Sequence, residues 1–69
     1  MYVMRCRGTV AAYSRKRNFL LIRPEGEERR IYCHRSEVVD DKSVEPGAAV
    51  EFTVTKQKAN EARRVKLVA

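Results

Sequence analysis

At 69 residues the chain has room for one domain near the lower size at which a core holds without staples, and too little for a large catalytic cleft. Fifteen Lys and Arg against nine Asp and Glu give a net charge of +6, the sign expected of a domain that meets a polyanion. No apolar run approaches the ~18 residues of a membrane span, the N-terminus lacks a signal-peptide pattern, and Cys6 and Cys33 have no metal-ligand spacing, so a cytoplasmic chain with reduced core cysteines and no cofactor is expected.

Strand signals recur at short spacing along the chain, and no segment keeps a helical period. Cys6, Gly8 and Val10 alternate with Arg7, Thr9 and Ala11, which predicts a first strand with Cys6, Gly8 and Val10 inward. Residues 14 to 18 form a polar turn carrying Arg15, Lys16 and Arg17. The apolar run Phe19–Ile22 predicts a second strand, closed by the turn chemistry of Arg23-Pro24-Glu25-Gly26. In the third, Ile31 and Cys33 face inward while Arg30, Tyr32 and His34 look out. Ser36 is placed to cap a single helical turn, and the acidic loop Asp40-Asp41-Lys42 follows. Val50, Phe52 and Val54 alternate with polar neighbours as a fourth strand, and a polar segment with Lys56 and Lys58 leads to a last strand with Val65 and Leu67 inward. Five short strands in so few residues predict an all-β fold, a small closed five-stranded barrel that leaves no edge exposed. The whole of residues 1–69 is read as that one domain.

The charges are segregated. Residues 1 to 24 contain six Arg and Lys and no acid, the acids gather in the middle, and Lys56 to Lys66 is basic again. Rings and cations on the same strands suit an unpaired nucleic acid, whose bases stack and whose phosphates pair.

These residues carry a family resemblance over nearly the whole chain. Gly8-Thr9-Val10-Ala11-Ala12-Tyr13-Ser14 aligns with the opening Gly-x-Val-Lys-Trp-Phe-Asn of the cold-shock domain. Arg17-Asn18-Phe19-Leu20-Leu21-Ile22 falls on its first ribonucleoprotein motif, Lys-Gly-Phe-Gly-Phe-Ile. Ile31-Tyr32-Cys33-His34-Arg35-Ser36 falls on its second, Val-Phe-Val-His-Phe-Ser. The chain thus resembles a cold-shock domain, an OB-type barrel that binds single-stranded RNA and DNA. The resemblance implies a nucleic-acid face made by Tyr13, Phe19, Tyr32 and His34, with Leu21 at a position where the family has a ring. The cations expected there are Arg15, Lys16, Arg17, Arg30, Arg35 and Lys58. Four family aromatics are missing, at Ala12, Leu21, Arg35 and Asp41, so the site is rebalanced from rings toward cations. Asn18 replaces a turn glycine and tolerates the positive φ such a turn needs.

Enzyme activity has no support in the sequence, since strand alternation separates Cys33 from His34, the only histidine. A small-molecule substrate and a membrane partner are not expected. Three roles fit the residues. The first is a nucleic-acid chaperone or regulator that binds single-stranded RNA or DNA. The second is a degenerate cold-shock domain that contacts protein, including other domains of a longer chain, as in multidomain RNA-binding proteins of the upstream-of-N-ras type. The third is an OB barrel like translation initiation factor one, docking on ribosomal RNA by charge and shape.

Overall fold

The structure, a computed structural model, describes residues 3–68. Its strands are β1 (Val3–Ser14), β2 (Phe19–Pro24), β3 (Ile31–His34), β4 (Ala49–Thr55) and β5 (Arg63–Leu67), with single 3₁₀ turns at Arg35–Glu37 and Asp41–Ser43. They form one sheet in the order β3-β2-β1-β4-β5, antiparallel at every step. The long β1 serves two partners. Val3 to Thr9 pairs with β4, while Gly8 to Ser14 pairs with β2, so the sheet curls about β1.

Curling brings the outer strands β3 and β5 toward each other without a continuous ladder. Tyr32 N–H donates to Asn60 O (3.0 Å), Ala62 N–H to Tyr32 O (2.8 Å) and Val39 N–H to Val65 O (2.7 Å). These belong to two isolated parallel bridges, Tyr32 with Glu61 and Val38 with Val65. The closed barrel expected from strand count is therefore a curled barrel with a seam, because β3 offers only four residues to pair.

The core follows the predicted alternation. Val10, Leu20, Ile22, Ile31, Val50, Phe52, Val54 and Val65 are buried, joined by Val44 and Ala62 from the connections. Leu20 fills the interior where the resemblance places a glycine. At Gly8, β1 and β2 approach so closely that a Cβ would collide with the Arg23 carbonyl, which explains the missing side chain. Cys33 is fully buried, and that burial, aided by the Glu37 charge, pushes its thiol up to about 12. Both cysteines are free, but Cys6 is only half-buried at the edge of the core.

Two local expectations are corrected. The first 3₁₀ turn is capped by His34, not Ser36: the imidazole accepts from Ser36 N–H. Leu67 pairs with Val50 on the core side but lies at the barrel rim, 38% exposed, where β5 ends. Asn18 adopts φ 60° as its turn requires.

Candidate nucleic-acid interface

The outward face of β1, β2 and β3 is set by register. Leu21 pairs with Ala12 on one side and Tyr32 on the other, and Phe19 pairs with Ser14 and His34, giving two rows across three strands. Phe19 and Tyr32 meet on the diagonal with ring centroids 5.5 Å apart and planes at 17°, a stacked pair. Tyr32 is 42% exposed despite its size. A large ring left in water beside another ring is where an unpaired base extends the stack. His34 stands next in the outer row. Because its Nδ1 accepts from Ser36 N–H at 3.1 Å, the neutral ring carries its proton on Nε2, which is left for a ligand.

Tyr13 does not join this platform. Strict alternation from Val10 would turn it outward, but Ala11 is an extra residue in β1, shifting the register between Val10–Ile22 and Ala12–Leu21. A one-residue bulge exchanges the two faces beyond it. Ala12 consequently faces out beside Leu21, and Tyr13 turns to the core side opposite Leu20, half-buried and packed against the core.

Tyr13 belongs instead to a polar cluster at the barrel end. Its hydroxyl donates to Asp41 Oδ2 (3.2 Å), and Arg35 Nε donates to the same oxygen (2.6 Å). Arg15 lies over the Tyr13 ring at 4.3 Å, and its guanidinium donates to the carbonyls of Asp41 (2.7 Å) and Val44 (3.1 Å). Arg15, Arg35 and Tyr13 thereby fasten the loop carrying Asp41 to the β1–β2 turn. The Arg35 hydrogen bond holds the Asp41 carboxyl below its ordinary range and, in return, raises the Arg35 guanidinium; burial, then the Asp41 charge, raises Tyr13. A carboxylate whose folded-state pKa is depressed stabilises the fold above its unfolded pKa, and loses that contribution as pH falls through the folded value. Wild type is therefore expected to melt above Asp41→Asn at neutral pH, with the gap closing as pH drops below Asp41's ordinary 3.8. Parallel melting curves across that range would contradict the latch.

The expected cations thus divide into two groups. Arg15 and Arg35 are engaged in the latch, and Lys58 lies 3.9 Å from Glu61. Lys16, Arg17 and Arg30 are exposed and have no side-chain partner among the described residues. Sequence reasoning overlooked Arg63, which lines a hollow with Tyr32 and His34 across the seam. Its signal was available in the basic run Arg63-Arg64, but only the seam shows that this run returns to the rings.

A curled five-stranded sheet carrying a stacked ring pair on its outward face, in a chain with a net charge of +6, defines an OB-type nucleic-acid-binding barrel. The 'cold-shock' DNA-binding domain family matches residues 6–68, and the chain belongs to that family. A solved structure titled "drosophila Unr CSD456" is similar with a TM-score of 0.78 at 28% identity, covering 96% of this chain and 27% of that one. The chain thus spans about a quarter of that relative's length. No curated protein matches it by sequence. Among the described residues no helix is long and apolar enough to cross a membrane.

Proposed function

We propose that this chain is a single cold-shock domain that binds single-stranded RNA or DNA by base stacking plus phosphate contact, acting as a nucleic-acid chaperone or regulator in the cytoplasm. The observation that carries the reading is the stack of half-buried Phe19 on exposed Tyr32, with His34 in the same outer row. Stacking is tolerant of sequence because every base has a π-face, so little sequence preference is expected. Binding alone accounts for the role: Cys33 points into the core while His34 looks out, so they do not act together on a substrate.

The Arg35–Asp41 pair favours a second reading, a degenerate domain that contacts protein, since it occupies two positions where the family has rings and neutralises a cation. A salt titration separates the two. Lys16, Arg17, Arg30 and Arg63 are exposed with no side-chain partner among the described residues, and four phosphate contacts at ~0.7 each on single strands give a log–log slope of about −2.8. The test measures affinity for a labelled pyrimidine-rich strand of about six nucleotides, within the range one OB fold covers. A slope near zero, or no binding, would favour the protein-contact reading.

A further inference from the structure

On the side of the barrel formed by β1, β4 and β5, the outward rows are also basic. Register aligns Arg5 with Thr53 and Arg63, and Arg7 with Glu51 and Lys66. Between them lies a groove of about 340 Å³ walled by Arg5, Arg64 and Lys66, with Val39, 57% exposed, at its margin. Glu51 is the only acid in its wall, and it pairs with Arg7 (3.2 Å) and Lys66 (3.9 Å), so the groove keeps a positive surplus.

Arg64 sits at φ 52°, a left-handed conformation that an arginine adopts only at a cost. It is the extra residue of a bulge, where Arg64 and Val65 together oppose Phe52. Bulges re-aim side chains. Here the consequence is that consecutive arginines serve different places: Arg63 lines the hollow beside Tyr32 and His34, and Arg64 lines the groove. The acids at this junction are held. Glu37 accepts from Arg64 N–H at 3.4 Å, and Glu61 lies 3.9 Å from Lys58.

We infer that the groove over β1, β4 and β5 is a second phosphate-binding surface, which receives the backbone of the same single strand as it leaves the rings over Arg63. The inference rests on the proposed single-strand binding. Charge selects a polyanion, and continuity through the Arg63–Arg64 pair selects the strand already held on the ring face over an unrelated acidic protein. The protein is about 22 Å across its short axes, so the two surfaces are close along one strand.

The experiment compares labelled oligonucleotides of about six and about fourteen nucleotides, both within the range OB folds cover. Wild type is set beside a variant carrying Arg5→Gln, Arg64→Gly and Lys66→Gln; glycine suits the left-handed position. In wild type the longer strand is expected to bind tighter, with a salt slope steeper by about 2, three contacts at ~0.7 each. The variant is expected to lose this difference while binding the short strand as wild type does, which also reports that it is folded. Should it fail to bind the short strand, the Arg5→Gln, Lys66→Gln pair, both at exposed positions, takes its place, with a slope difference reduced by about 1.4 at ~0.7 per contact. Equal affinity and slope for the two lengths in wild type would overturn the inference and leave the ring-face reading intact, the result expected if the groove serves an acidic protein. A length effect unchanged in the variants would overturn it too. Failure of wild type to bind either strand would remove the reading on which the inference stands.

Discussion

Alanine at Phe19 or at Tyr32 is expected to weaken binding of a short pyrimidine-rich strand by ~1–3 kcal/mol, about five- to 150-fold, at one fixed salt concentration. Each ring is outside the core, so the loss should appear in affinity and little in melting temperature. The two rings stack on each other, so their losses should not add; removing either ring already deprives the other of its support, and the double variant should lose less than the sum of the singles. Ala12→Trp should act in the opposite direction. Ala12 is exposed in the row of Leu21 and Tyr32, so an indole there adds a third ring to the platform and an intrinsic fluorescent reporter. If all three variants bind like wild type, base stacking plays no part and the protein-contact role takes over.

Phe52→Ala is expected to cost ~3–5 kcal/mol of folding stability, the range for deleting a buried aromatic side chain. Phe52 is 2% exposed and pairs with Cys6 across β1 and β4, near the middle of the curl. At ~0.05–0.15 kcal/mol per residue, a domain of 69 residues has only about 3–10 kcal/mol in total. The variant should therefore unfold at a far lower urea midpoint, or not fold at all. Since both rows of the nucleic-acid face depend on strand register, binding should vanish with the fold. An unchanged midpoint would show that the core is organised around other residues.

Much of this arrangement was legible in the residues. Alternation in Ile31–His34 and Ala49–Thr55 placed Cys33, Val50, Phe52 and Val54 inside and Tyr32 and His34 outside. Asn18 announced its positive φ by type. Tyr13 was carried onto the outer face by the resemblance, whereas the bulge at Ala11, which leaves no mark in composition, turns it to the core side. Arg15 and Arg35 were read as cations of the nucleic-acid face, whereas in the fold both contact the loop that carries Asp41. Their partner Asp41 is distant in sequence, and the long-range pairing that ties it to Tyr13 and Arg35 has no local signature. Arg63 escaped notice because the seam, not the sequence order, sets it beside Tyr32. Local pattern thus carries the strands and their first faces, whereas interruptions of the pattern and contacts across the barrel arise only in the folded chain.

The seam has a consequence for how the molecule breathes. Tyr32 is joined to residues 60–62 by two backbone hydrogen bonds, whereas the β1–β2 and β1–β4 ladders run along most of a long strand. A parting of β3 from the 60–62 segment is therefore the local opening expected below the free energy of global unfolding. In that opened state Tyr32 and Arg63 separate, and the amides of Tyr32 and Ala62 exchange with solvent together. On the proposed path a strand crosses both residues and bridges the junction from outside, so single-stranded nucleic acid is expected to act as a clasp, slowing exchange at these two amides more than in the middle of β1.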